Sequence, residues 1–278
     1  MAPSVWLITG ASSGFGRIMA ELVLANGDIC IATSIDPPAL ADLVPKYDKE
    51  QLMLLETDVT KIQDIALAFK TAEQTYGHID VVVNNAGVVI AAEVEGTPDV
   101  RARHMFEVNF WGSANVTREA IRFFREVNGP RRGGKLLQMT SMLAIAAWPG
   151  LSYYSVEGLT KSLVEELDPA WNIQVMMIEP GLMRTPILDS LQASRIDVHP
   201  AYVGGAADRT RLAMQPKQAS GDPQKAMGFV YNVARMDKLP LHLPVGPDAI
   251  EHFKRTIDDL TKAFDEWESL ASLTVFTD

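Results

Sequence analysis

The sequence predicts an α/β fold: a doubly wound, mostly parallel sheet of about seven strands with helices on both faces. Three observations carry this. Short apolar, β-branched runs recur along the chain, segments of helical length separate them, and a glycine-rich turn follows the first run directly. Runs that are apolar throughout, without alternation, belong to strands buried on both faces. Helix-length connections then make neighbouring strands parallel.

In chain order the strands are expected at VWLIT (5–9), DICIAT (28–33), QLMLLET (51–57), DVVVNNA (80–86), KLLQMTS (135–141) and IQVMMIEP (173–180). A weaker seventh stands at LHLPV (241–245). Ile62, Ile65, Ala66 and Phe69 have helical spacing. Val156, Leu159, Leu163, Val164 and Leu167 form another apolar stripe that should dock on the sheet. After residue 180 the pattern loosens, and Pro, Gly and polar residues concentrate in 199–223. Residues 1–278 read as one domain, with 182–240 either a substrate-side excursion or a plain surface one. A last helix is expected over 248–267, with Asp248 as its N-cap after Gly246–Pro247.

Bulk properties narrow the function classes. Hydrophobic residues make up 47% of the 278, enough for a substantial core and too many for a disordered chain. The net charge of −10, with scattered basic residues, argues against a nucleic-acid or anionic-membrane surface. The single cysteine, Cys30 in ICIAT, rules out an intrachain disulfide and reads as a buried thiol. No run of 18 apolar residues exists and MAPSVWLITG lacks a basic leader, so a cytoplasmic protein without a membrane span is expected. The five histidines show no metal-ligand spacing, and no metal is expected.

TGASSGFG (9–16) links the first strand to the first helix. Gly10 permits a tight turn, Gly14 lets a phosphate approach the backbone, and Gly16 allows helix and strand to pack closely. The free N–H groups and positive end of the helix then favour a pyrophosphate. This turn, Asp58-Val59, NNAG (84–87), Asn109 in FEVNFWG, Ser141 and PGLMRT (180–185) resemble, in order and spacing, the motifs of the short-chain dehydrogenase/reductase family. The resemblance spans about residues 4–190. It implies a Rossmann-type fold, a nicotinamide dinucleotide, and hydride transfer between an alcohol and a carbonyl.

The resemblance also implies roles. Ser12, Ser13 and Phe15 would line the phosphates and ribose. Asp58 would accept from the adenine amino group, with Val59 beside the ring, although Asp58 could instead cap the next helix. Asn84, Asn85, Ala86 and Gly87 would run along the ribose and the central strand end. Pro180, Gly181, Met183 and Thr185 would border the nicotinamide. Arg118 stands where relatives often carry a basic residue on the long central helix, and an exposed arginine is the plainer alternative. At the end of the second strand, Thr33-Ser34-Ile35 offers hydroxyls where an acid would hold the ribose of NAD, and Asp36 follows. With Arg17 at the helix start, this charge pattern favours NADP and leaves NAD open.

The catalytic end is GLSYYSVEGLTK (150–161). The resemblance implies that Ser141 positions the substrate oxygen, Tyr154 exchanges its proton and Asn109 holds a water-linked relay. A lysine four residues after the tyrosine, one turn along the same helix face, would lower the phenol's pKa. Gly158 stands there, and the simplest alignment lacks about five residues, the lysine among them. Five helical residues are about 7.5 Å and a net rotation of roughly 140°. If the apolar stripe keeps its place, Tyr153 falls where the lysine belongs and Pro149 where the tyrosine belongs. Lys161, at i+7, would reach back about 10.5 Å, and Glu157 would oppose a phenolate it approached.

Trp148, Leu188, Tyr202 and Met214 could build an apolar substrate pocket or ordinary packing. The expected partners are an apolar alcohol or ketone and a second subunit, since such proteins often form homodimers or homotetramers through their long central helices. Three readings stay open: an NADP-preferring oxidoreductase, a dinucleotide-binding pseudoenzyme, and a mis-spliced form of an active enzyme.

Overall fold

A computed structural model describes residues 2–153 and 157–276. The strands are β1 (Val5–Thr9), β2 (Ile29–Ser34), β3 (Leu52–Glu56), β4 (Val81–Asn84), β5 (Gly134–Met139), β6 (Ile173–Pro180) and β7 (His242–Val245). All pair in parallel, in the order β3-β2-β1-β4-β5-β6-β7. The helices are α1 (Gly14–Ala25), α2 (Ile62–Tyr76), α3 (Asp99–Phe106), α4 (Ser113–Phe123), α5 (Gly129–Arg132), α6 (Glu157–Glu166), α7 (Pro186–Ala193), α8 (Ala206–Ala213), α9 (Pro223–Ala234) and α10 (Pro247–Ala271). The doubly wound sheet expected from the apolar runs is thus formed.

β1 shows why its sequence does not alternate. Trp6 and Ile8 point to one face, where Met19 and Val23 of α1 and Met227 and Val230 of α9 meet them. Val5 and Leu7 point to the other, against Phe69 of α2 and Phe123 of α4. All five residues of the strand are buried. Trp6 stacks on Tyr231 of α9 with ring centroids 5.4 Å apart. Cys30 is buried in the same core as expected, and burial pushes its thiol well above the ordinary range. β1 has β2 on one side and β4 on the other, so the chain direction of the winding reverses beside it. That reversal opens a crevice at the carboxyl ends of these strands.

One expectation needs correction. Asp248 is not the N-cap of the last helix. Gly246 holds that position, and the Asp248 carboxylate instead accepts the Leu182 N–H at 2.7 Å. A Cβ on Gly181 would overlap that carboxylate, which accounts for glycine there. Within 182–240, α9 is part of the main core through Met227, Val230 and Tyr231. A smaller apolar cluster forms where Leu188 and Leu191 of α7 meet Met214, Ala219 and Leu151.

The polar stretch around α8 is ordered by one long-range ion pair. Both terminal nitrogens of Arg211 contact the Glu93 carboxylate at 2.6 Å, and its Nε donates to the Ala91 carbonyl at 3.2 Å. Hydrogen bonding to Arg211 holds the Glu93 carboxyl down to about 2. Arg211→Met leaves a buried carboxylate without its partner and should cost about 3–5 kcal/mol in urea unfolding at neutral pH. The pair's contribution is complete above the ordinary glutamate value of 4.5 and is lost as pH falls toward about 2. The difference between wild type and variant should therefore shrink over that interval.

Candidate active site

The glycine turn is shaped by its neighbours. Gly10 and Gly14 have φ of 64° and 55°, the left-handed region that glycine enters freely. A Cβ on Gly10 would stand 2.9 Å from the Ala86 Cα. Thr9 Oγ1 accepts the N–H groups of Asn85 and Ala86 at 2.8 and 3.0 Å, and the Asn85 amide donates to the Thr9 carbonyl at 2.8 Å. The ends of β1 and β4 are tied together in this way. Ser13, the N-cap of α1, makes no side-chain capping bond. The first-turn N–H groups are thereby left to an anion. These features fit a dinucleotide pyrophosphate.

A cleft of about 1000 Å³ runs along the carboxyl edge of the sheet. Gly10, Ser12, Ser13, Gly14 and Phe15 line one part of it, with Ser34 at the end of β2 and Asp58 and Val59 after β3. Asn85, Ala86 and Gly87 form its middle, beside Asn109 and Ser141. Pro180, Gly181, Met183 and Thr185 close the far side. Asp58 is not a helix cap: its Oδ1 accepts from the N–H and O–H of Thr60 at 3.0 and 2.7 Å. Burial opposes ionisation of Asp58, but these bonds and Lys61 outweigh it and hold the carboxyl below its ordinary value.

Four predicted cofactor residues do not line the cleft, because strand side chains alternate in direction and helices have backs. Asn84 is buried beneath it, its amide donating to the Ser113 carbonyl and Gln138 Oε1, both at 2.9 Å. The Thr33 hydroxyl turns inward to the Ile8 carbonyl at 3.2 Å. Gly16 serves packing, since a Cβ there would strike the Gly10 carbonyl oxygen. Arg118 is exposed and bonded to Ala114 and Asn115 of its own helix. Arg17 is also withdrawn. Its guanidinium is held by Asp42 at 2.6 Å and Glu21 at 2.7 Å, which raises its pKa above the usual arginine value.

At the catalytic end, Ser141 Oγ accepts the Leu143 N–H at 3.2 Å, leaving its O–H to donate. Asn109 lies in a π-helical turn, Glu107–Gly112, between α3 and α4. Its amide pairs with the Val88 backbone in both directions, at 2.8 and 2.9 Å. Such π-turns often sit at functional sites. Tyr154 lies outside the described residues. Tyr153 packs edge-on against Phe106 and its O–H points to the Val94 carbonyl at 3.4 Å, outside the cleft lining. Lys161 pairs with Glu157 at 3.2 Å. Among the described residues no lysine lines the cleft.

Sequence reasoning missed Arg101, His104 and Glu107, which all line the cleft. Their three-residue spacing along α3 and its π-turn was the available signal. The apolar end of the cleft has Leu143, Trp148, Leu182, Ile187, Leu188 and Met214. Tyr202 is not among them, because its hydroxyl donates to Glu95 on the surface at 2.9 Å.

Directly before Pro180, Glu179 is fully buried, and the buried Glu157 of α6 lies within hydrogen-bond reach of it. His242 Nδ1 is 2.7 Å from Glu179 Oε1. Among the described residues, Glu157 Oε1 and Glu179 Oε2 have no hydrogen-bond donor. A protonated Glu179 would donate a hydrogen bond to Glu157. Burial and the Glu157 charge push the Glu179 carboxyl up to about 8. Glu157 thus faces Glu179 and Lys161.

The short-chain dehydrogenase family profile matches residues 4–196. The chain belongs to the short-chain dehydrogenase/reductase family. It is 34% identical over 263 residues to an uncharacterized oxidoreductase of Schizosaccharomyces pombe, covering 92% of this chain and 87% of that protein. It is similar in structure to a short-chain dehydrogenase from Streptomyces avermitilis, with a TM-score of 0.85, 31% identity, and 99% and 100% of the two chains covered. A short-chain dehydrogenase/reductase from Burkholderia phymatum in complex with NAD shares the fold at 21% identity, with a TM-score of 0.79 and 94% and 95% coverage. This short-chain dehydrogenase/reductase therefore carries an oxidoreductase scaffold. Among its described residues no helix is long and apolar enough to cross a membrane.

Two outcomes follow from the site geometry. Gly10→Ala forces a left-handed alanine against the Ala86 backbone, and should weaken dinucleotide binding at least about tenfold in calorimetry. Glu179 holds its proton more tightly folded than unfolded, so between 4.5 and about 8 the native state carries the extra proton. Stability should fall as pH rises through that window, and Glu179→Gln should flatten the fall in urea unfolding.

Proposed function

We propose that this chain is an NADP-preferring oxidoreductase interconverting an apolar alcohol and its ketone. The observation that carries the reading is a single cleft that joins the glycine turn to Ser141 and Asn109. Gly10, Ser12, Ser13, Gly14 and Phe15 would hold the pyrophosphate at the start of α1, Asp58 and Val59 the adenine, and Asn85 to Gly87 the ribose. Pro180, Gly181, Met183 and Thr185 would border the nicotinamide, which when bound supplies or accepts the hydride. Ser34 supports the NADP preference. Its Oγ accepts the Asp36 N–H at 2.9 Å, so its O–H is left to donate to a 2′-phosphate. Residues 182–219 would cover the apolar substrate.

Ser141 would donate to the substrate oxygen, and Tyr154 would transfer the proton to or from it. Asn109, its side chain locked on Val88, would hold the relay end of the π-turn in place. A phenol at its ordinary pKa of about 10 is ionised in about one molecule in a thousand at pH 7. Without a lysine one turn on, Tyr154 would therefore serve better as an acid than as a base, and ketone reduction is the direction favoured at neutral pH.

A second reading, a dinucleotide-binding protein with little redox activity, is favoured by one observation. Lys161 is paired with Glu157, and no described lysine reaches the cleft. Cofactor titration set beside turnover over a panel of ketones and alcohols separates the two, since saturable NADPH binding with no turnover supports the second. For the oxidoreductase, Tyr154→Phe should lower kcat by about 100-fold or more. Alcohol oxidation should climb with pH toward about 10 while reduction stays level below it. Arg17→Ala should leave NADP affinity within about threefold, because that guanidinium is already committed to Asp42 and Glu21.

A further inference from the structure

The C-terminal helix leaves the body of the protein. α10 packs at its start, where Ala249 is buried and His252 meets Trp148 with ring centroids 5.3 Å apart. From Ile257 to Phe276 every residue is exposed. The helical part of that stretch, 257–271, is about 22 Å long at 1.5 Å per residue. An unsupported helix of that length is marginal in water. It nonetheless carries Ile257, Leu260, Phe264, Trp267 and Leu270, exposed between 49% and 67%. An apolar face of this size needs cover.

The spacing of that face identifies the cover. Ile250, Phe253, Ile257, Leu260, Phe264, Trp267 and Ala271 alternate at intervals of three and four, the a and d positions of a continuous heptad. A heptad stripe fits another helix carrying the same stripe. The charges then choose the direction. The e positions are Lys254, Thr261 and Glu268, and the g positions are Thr256, Ala263 and Leu270. In an antiparallel pair, e faces e and g faces g. With Leu260 of one helix beside Phe264 of the other, Ile257 meets Trp267, and Lys254 of each chain meets Glu268 of its partner, twice by symmetry. Thr261 and Ala263 then meet their own copies at the twofold axis. A parallel pair would set e against g and leave both charges unmatched. Among the described residues, neither Lys254 nor Glu268 has an ion-pair partner within its own chain. The helix's seven carboxylates outnumber its three basic residues, which disfavours an anionic membrane surface as the occupant.

We propose that α10 pairs antiparallel with α10 of a second copy of this chain, forming a C2 interface centred near Thr261. This interface is separate from the cleft and from the central helices. Its test is the particle mass in sedimentation equilibrium, set against the 30.5 kDa of one chain. Leu260→Lys/Phe264→Lys, on an exposed segment, should halve the wild-type mass while NADPH binding persists. Lys254→Glu should weaken association at least tenfold, and Lys254→Glu/Glu268→Lys should restore it. As Cys30 is the only native cysteine and is buried, Thr261→Cys provides one accessible thiol. A short bismaleimide should join two such chains through position 261, whereas parallel helices hold these positions on opposite flanks. The proposal is overturned by a monomeric wild type, by a mass unchanged in the double-lysine variant, or by no cross-link at 261. It is overturned equally if α10 binds phosphatidylcholine/phosphatidylserine vesicles and does not self-associate.

Discussion

The functional architecture depends on one junction: the end of β1 tied to the end of β4 through Thr9 and Asn85. Two backbone N–H groups converge on Thr9 Oγ1, and the Asn85 amide returns to the Thr9 carbonyl. This clasp sets the glycine turn within van der Waals distance of Ala86, so that only glycine fits at position 10. The start of α1 is then aimed into the crevice where the winding reverses, with its N–H groups uncapped. A phosphate bound there would be held by backbone N–H groups and would need no cationic side chain. This explains why Arg17 can be committed to Asp42 and Glu21 without loss to the site.

A different economy operates at the catalytic end. Asn109 is immobilised on the Val88 backbone within a π-turn, and Ser141 keeps one donor free. Glu157 and Glu179 are buried together beside His242, a costly arrangement that a proton held on Glu179 makes tolerable. The start of α6 is thus anchored by acid–acid contact and by Lys161 pairing with Glu157. The lysine nearest in sequence to Tyr154 is committed to this local arrangement.

How much was legible varied with the range of the interaction. VWLIT and IQVMMIEP coincide with β1 and β6 to the residue, because burial on both faces writes itself into consecutive apolar positions. DVVVNNA overshoots, since β4 ends at Asn84, where the chain turns toward the cleft. The motif residues on loops and at the first turn of α1, Ser12 to Phe15, Asp58 and Ser141, line the cleft as their patterns imply. Neighbours on strands and helices did not follow automatically: Asn84 and Asn85 share a motif but point to opposite sides. Arg211 and Glu93, 118 residues apart, left no local trace of their pairing.

The chain's local chemistry by itself determined the parallel sheet, the glycine turn at the first helix and the membership that these motifs share, because each is encoded by spacing over a few residues. Tertiary structure alone decided which motif residues face the cleft, that Arg17 and Lys161 are already paired, that Glu179 shares its buried space with Glu157, and that α10 is exposed from Ile257 onward. Those outcomes depend on which surfaces meet after folding. Side-chain direction and burial are properties of such meetings, and no short stretch of sequence carries them.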